Sequence, residues 1–215
     1  QELNKYNSLG IDLVAMCIND ILVHGGNPLF FLDYIAIDKI KLSKLKKILR
    51  GILRGCKLAK CELIGGETAE MPGIYKKNKF DLAGFSVGIA SKRKLLTQSN
   101  VKNHDVILGI PSNGLHSNGF SLLRNILKKR KINKKLEKQI LKPTKIYVKE
   151  ILNLVNRRLI SSAAHITGGG LIENISRSVP NNLSINIDLK KIKTLEIFKW
   201  LKKNNISDSE MLRTF

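Results

Sequence analysis

The spacing of apolar positions changes several times along the chain, and each change predicts an element. Residues 8–24, SLGIDLVAMCINDILVH, are apolar on nearly every side, open at a possible Ser8 cap and stop at Gly25-Gly26, with Pro28 beyond. That pattern predicts a buried helix. Asp12, Asn19 and Asp20 stand out in it, because polar groups in a buried helix need partners or a ligand. PLFFLDYIAID predicts a strand with Asp33 at its middle. Leu45, Ile48, Leu49, Ile52, Leu53 and Cys56 then recur at helical spacing within residues 42–60, with Lys and Arg on the other face. CELIGG predicts a short strand running into glycines. DLAGFSVGIA predicts another, whose Gly84 and Gly88 mark close backbone approach or a bulge.

The polar stretch 91–104 is the best boundary, dividing the chain into domains 1–95 and 96–215. Beyond it the pattern restarts as a strand (DVILGI), a loop (PSNGLHSNG) and a helix (FSLLRNILKK). A Lys-rich connector, 131–142, leads to PTKIYVKEILNLVNRRL, where Pro143 suits a helix start. AAHITGGGLIENISRSVP reads as a strand or extended segment, a glycine loop and a short helix. LSINIDL alternates as a strand, and LEIFKWLKKN resumes a helix. Strands and helices alternate throughout, so the fold class is mixed α/β (α+β). With 43% of 215 residues hydrophobic, two small cores are affordable on length alone.

No window approaches the roughly 18 uninterrupted apolar residues of a membrane span, and QELNKYNSLG has neither part of a secretory signal. The expectation is a soluble, cytoplasmic protein without a membrane partner. Cys17, Cys56 and Cys61 lack CxxC spacing and lie on or beside apolar segments, which favours buried free thiols over bridges or zinc ligands. The net charge of +21, from 38 Lys and Arg against 17 Asp and Glu, raises a nucleic-acid reading. Its distribution argues against a specific one. Only nine of the 38 are Arg, the usual bidentate reader of phosphates and bases. Lys recurs on nearly every helix face and loop rather than in one stripe, and no aromatic stacking pattern accompanies it.

Candidate chemistry gathers in three glycine-bearing loops: GGETAEMPG, PSNGLHSNG and ITGGG. Glycines there let a backbone approach a ligand, and helix-opening N–H groups attract anions. None is a Walker A or dinucleotide motif. Glu67, with Thr68 beside it, either helps hold Mg²⁺ or complements a helix start. Asn19 and Asp20 either add oxygen ligands or bond neighbouring backbone. His116 lies between two copies of Ser-Asn-Gly within eight residues, which favours substrate binding or proton transfer over an ordinary loop histidine. His165 reads as a structural histidine, His24 and His104 as surface or capping residues.

These stretches also carry a resemblance. GIDLVAMCINDILVHGGNPLFFLDY, LIGGETAEMPGIY, FDLAGFSVG, SNGLHSNGFSLLR, PTKIYVK, ITGGGLIENI and EMLRTF are similar, in order and separation, to successive motifs of the phosphoribosylformylglycinamidine cyclo-ligases. The resemblance covers essentially all 215 residues. It implies a two-lobed ATP-binding fold with the lobes meeting at a cleft, the first lobe incomplete and forming a homodimer through its strands, the second truncated. It implies ATP-dependent ring closure of formylglycinamidine ribonucleotide in purine biosynthesis, with ATP and Mg²⁺ as cofactors.

Residue by residue, the resemblance makes Asp20 and Glu67 catalytic and Mg²⁺-ATP candidates, supported by Asn19 and Thr68. His116 becomes catalytic and substrate-binding, joined by Ser117 and Asn118, with Gly168, Gly169 and Gly170 as a close-approach loop. The glycine-rich ATP motif expected upstream does not precede Gln1, and family members continue past Arg213-Thr214-Phe215. The chain therefore resembles an internal fragment, inactive alone. A basic nucleic-acid-binding protein and an inactive relative of the same fold are the alternatives.

Overall fold

Helix α1 (Asn7–Leu22) follows from its apolar run, which buries Ile11, Val14, Ala15, Ile18 and Leu22. These are facts of a computed structural model that describes residues 5–215; residues 1–4, part of the expected first domain and of the stretch read for a secretory signal, lie outside the described residues. The expected Ser8 cap is not formed. Tyr6 takes the capping position without a side-chain bond, and the Ser8 hydroxyl donates back to the Lys5 carbonyl at 3.4 Å. Nor is the helix buried all round, since Asp20 is exposed and Asp12 half-buried.

Strand β1 (Asn27–Ile37), helix α2 (Leu42–Ala59) and strand β2 (Glu62–Glu70) form one crossover unit. The two strands pair in parallel, which requires a connection long enough to return the chain to the same end. Strand β3 (Phe80–Ile89) pairs antiparallel on the other side of β1, giving the order β2-β1-β3. Alternate residues of β1 point to opposite faces. Phe31 and Ile35 enter a core with Val14, Ile18 and Leu22 of α1 and Ile48, Ile52 and Cys56 of α2. The two helices meet backbone to backbone, because a Cβ on Gly10 would overlap the Ile52 nitrogen and one on Gly51 the Asn7 carbonyl. On the opposite sheet face, Phe30, Phe85, Val87 and Ile89 are exposed.

Packing groups the chain into two units, the first of which takes in a later segment. Residues up to Leu95 form a unit with Ile146–Arg157, while Leu96–Lys145 and Arg158–Phe215 form the other. Helix α5 (Val148–Asn156) joins the first because Val148 is buried in the α1–α2 core, with Ile151 and Leu152 packed against it. Those three positions fall on one helical stripe.

The second unit centres on Leu115, Leu123, Ile140, Ile197 and Leu201. They come from the loop before helix α3 (Phe120–Leu127) and from α3, α4 (Lys134–Ile140) and α7 (Glu196–Lys203). Helix α4 arises inside the expected connector, where Asn133 caps it by accepting the Leu136 N–H at 2.9 Å. Helices α6 (Gly170–Ser176) and α8 (Asp208–Thr214) complete the unit. The strands expected at DVILGI and LSINIDL do not form; the described residues of this unit contain no strand. Val106 is 81% and Leu108 74% exposed, so the segment lacks the packed neighbour a strand requires. The helix expected from Pro143 starts only at Val148.

Candidate functional site

The loop Ser112–Gly119 is built by its own side chains. The Ser112 hydroxyl donates to the Gly114 carbonyl at 3.2 Å. His116, nearly buried, lies against the N–H of Asn113 at 3.1 Å and that of Lys145 at 3.3 Å through Nε2. The Asn118 amide donates to the His116 carbonyl at 3.2 Å. Ser117 Oγ and Thr144 Oγ1 are 3.0 Å apart, and Thr144 is 2% exposed. His116 and Ser117 both adopt left-handed backbone, with φ of 53° and 65°, a conformation uncommon outside glycine. Gly119 follows at φ 69°, its α-carbon so close to the Phe215 ring that a Cβ would overlap it.

That turn opens α3 without a side-chain cap, so its first N–H groups have no intrahelical acceptor. Ser117, Asn118, Gly119, Ser121, Asn125, Glu210 and Thr214 line an open cavity of about 590 Å³ there. Glu210 brings the one carboxylate of the lining, and its Oε1 accepts the Thr214 hydroxyl at 2.7 Å. Donors and a carboxylate together suit a ligand with both phosphate and hydroxyl groups.

The ITGGG loop has a different keystone. Asn174 on α6, almost fully buried, aims its amide at the carbonyls of Gly170 (2.7 Å), Gly168 (3.2 Å) and Thr167 (3.4 Å). Gly169 and Gly170 adopt φ of 94° and 63°, and a Cβ on Gly170 would strike the Leu212 and Arg213 backbone. Gly168 faces open space. Asn174, four residues after Gly170 and directly before the buried Ile175, was the available sequence signal for this keystone; Thr144 had none.

The first-unit candidates are placed differently from the expectation. Only the last three residues of GGETAEMPG are loop, since residues 65–70 continue β2. Gly66 pairs with Asp33, and a Cβ there would crowd the Asp33 carboxyl; the glycine makes room for a buried acid. Burial raises the Asp33 pKa above its ordinary value. Glu67 pairs with Tyr34, and Thr68 with Ile35. Glu67 therefore lies on the sheet face opposite the helix-packed Phe31 and Ile35, whereas Asp20 sits on α1, on the helix side. One chain does not bring Asp20 and Glu67 together. Glu67 Oε1 accepts the Thr68 N–H at 2.9 Å. Asn19, 2% exposed, accepts the Tyr147 N–H at 3.2 Å and so fastens the approach to α5. Among the described residues no group of three or more His, Cys, Asp or Glu is placed to hold a metal by itself; a Mg²⁺ carried by a nucleotide needs only one or two carboxylates beside the phosphates.

Other titratable groups are structural. Cys17, Cys56 and Cys61 are free, and burial pushes the Cys17 thiol up to about 11, with Asp20 adding to it. Lys44, buried, stands 4.0 Å from the Phe80 ring centre and donates to the Asn78 carbonyl at 3.1 Å. Among the described residues no helix is long and apolar enough to cross a membrane.

Comparison with known proteins places these features among relatives. Residues 3–90 match the N-terminal domain, and residues 102–215 the C-terminal domain, of the AIR synthase related proteins. A phosphoribosylformylglycinamidine cyclo-ligase of Pseudothermotoga lettingae is 49% identical over 99% of this chain and 66% of its own length. One of Finegoldia magna is 48% identical over 100% of this chain and 65% of its own. The chain thus spans 65–66% of the length of these relatives. Thiamine monophosphate kinase of Aquifex aeolicus, 15% identical, superposes with a TM-score of 0.66 over 98% of this chain and 68% of that one. The hydrogenase maturation protein HypE gives 0.57 at 14% identity over 79% of this chain and 51% of that one. These structures share the fold.

Proposed function

Because the chain belongs to the AIR synthase related protein family, whose two domain descriptions match residues 3–90 and 102–215, we propose that it serves ATP-dependent closure of an imidazole ring. The substrate is formylglycinamidine ribonucleotide; the products are aminoimidazole ribonucleotide, ADP and phosphate. The observation that carries this reading is 48–49% identity, over essentially the whole chain, to proteins named phosphoribosylformylglycinamidine cyclo-ligase.

The formyl oxygen of the substrate attacks the γ-phosphorus of ATP, releasing ADP. A substrate nitrogen then attacks the activated carbon, and the phosphorylated oxygen leaves as phosphate. Such chemistry depends on positioning and charge stabilisation more than on a protein nucleophile. The second unit supplies positioning. Ser117, Asn118 and the first N–H groups of α3 offer donors to the ribonucleotide phosphate, and Glu210 offers an acceptor to its hydroxyls. Gly168, Gly169 and Gly170, shaped by Asn174, give a second backbone surface for close approach. Glu67 and Thr68 are the first-unit candidates for ATP. ATP supplies the phosphoryl group and would bring Mg²⁺, for which Asp20 and Glu67 are separate carboxylate candidates beside the phosphates.

The open sheet face supports a homodimer. Phe30, Phe85, Val87 and Ile89 lie exposed on one side of three strands, an apolar surface that a second copy would cover. Sedimentation of the natural full-length protein as a monomer at micromolar concentration would remove this part of the proposal. The cytoplasm is the compartment proposed.

The direct test is ADP release by the full-length protein with and without formylglycinamidine ribonucleotide. We expect release to require that substrate. Replacing Lys134 and Lys135 with Ala should leave it unchanged while weakening salt-dependent attraction to DNA. ADP release indifferent to the substrate, or salt-resistant and sequence-selective nucleic-acid binding, would overturn the reading.

A further inference from the structure

His116 has the place of a proton carrier and the surroundings of a clamp. Its Nε2 meets two backbone N–H groups, from Asn113 at 3.1 Å and Lys145 at 3.3 Å. Neither can be turned away, because both belong to the main chain. A ring nitrogen facing them presents its lone pair, and the ring proton then belongs on Nδ1. The Asn113 side-chain Oδ1 lies 2.5 Å from the same Nε2. A side-chain amide can turn by 180°, unlike the backbone, so this contact does not fix the tautomer and the two backbone N–H groups do.

We propose that His116 is a positioning residue: its neutral imidazole ties Asn113 to Lys145 through Nε2 and thereby aims Ser117–Gly119 into the cavity at the start of α3. This deepens the cyclo-ligase reading and rests on it for the identity of the ligand. The clamp has work to do, because consecutive left-handed residues at His116 and Ser117 persist only where their surroundings over-determine them. The Ser117–Thr144 and Asn118–His116 hydrogen bonds supply the rest of that constraint. Protonating Nε2 would set an N–H against two others. The groups facing the ring also oppose a positive charge: burial comes first, then His165, Lys145 and Lys142, and together they bring its pKa down to about 4. A ring held neutral in this way orients the loop and carries no proton at neutral pH.

Two measurements test the clamp. The first is nitrogen NMR of the full chain labelled with ¹⁵N-histidine, followed from about pH 5.5 to 8, the range in which an ordinary histidine titrates. We expect an unprotonated Nε2, a protonated Nδ1 and no titration. A protonated Nε2, or a midpoint near 6.5, would overturn the proposal whatever the enzyme does. The second compares His116→Gln with His116→Ala in the full-length enzyme. A glutamine Oε1 can accept the same two N–H groups without being able to titrate. We expect Gln to keep kcat/KM within about threefold, with a wild-type pH profile, and Ala to lose about tenfold or more. A Gln variant as impaired as Ala, with a flattened pH profile, would make the ring a proton carrier. Absence of substrate-dependent ADP release in the wild type would instead defeat the cyclo-ligase reading, and the NMR result would still decide the role of His116.

Discussion

Ile35 and Ile107 both lie in short apolar runs that predict strands, yet Ile35 is fully buried and Ile107 is 47% exposed. The runs differ in their neighbours. Around Ile35, β1 is paired on both sides, and α1 and α2 cover one face. Around Ile107 no described residue forms a ladder. Apolar, β-branched sequence creates a demand for a strand, and hydrogen-bonding partners decide whether it is met. The first unit is accordingly a layered sheet and helices, and the second a helical cluster carrying structured loops.

The largest effect should come from the layered core. Phe31→Ala removes a side chain with no exposure and should cost about 3–5 kcal/mol in denaturant unfolding. A loss under about 1 kcal/mol would mean that the first unit lacks the packed core assigned to it. In the second unit, His116→Ala strips two backbone donors of their acceptor and should cost about 1–3 kcal/mol by the same assay. An unchanged midpoint would show that the loop is held by other groups.

A smaller effect sharpens the comparison through pH. Burial raises the Asp33 pKa in the folded chain. The folded state therefore binds this proton more tightly than the unfolded one, and stability falls as pH rises from the ordinary carboxylate value through the raised one. Asp33→Asn lacks that dependence, so its stability relative to wild type should rise across this window and level off above it. A relative stability that falls over the same window would mean that the folded state favours the charged form. Least of all should come from Val106→Thr. An 81% exposed side chain should change stability by no more than about 0.5 kcal/mol, and a core-sized loss would show that DVILGI is a paired strand after all.

Legibility in the sequence followed the same divide. The helical spacing from Leu45 to Cys56 located α2 to within a residue, because its stripe faces a single core. The apolar runs located β1 and β3 similarly well. GGETAEMPG misled because Gly66 serves the buried Asp33 behind it in the sheet, a pairing between distant segments that no local pattern carries. Asn19 was rightly marked as a buried polar group needing a partner, but that partner is a backbone N–H 128 residues away. At the candidate site, the doubled Ser-Asn-Gly around His116 pointed to an organised loop. It did not show that Lys145 and Thr144 hold that loop, since both sit in a stretch that reads as the start of a helix.

The central claim is that this family member serves a ring closure in which the substrate's own oxygen accepts a phosphoryl group from ATP. The most direct measurement follows that oxygen. Formylglycinamidine ribonucleotide carrying ¹⁸O in the formyl group is turned over by the full-length protein with unlabelled ATP in ordinary water, and the released phosphate is analysed by mass. The account expects one ¹⁸O in each phosphate released, with one aminoimidazole ribonucleotide formed per ADP. Unlabelled phosphate, or ADP released without ring closure, would contradict it.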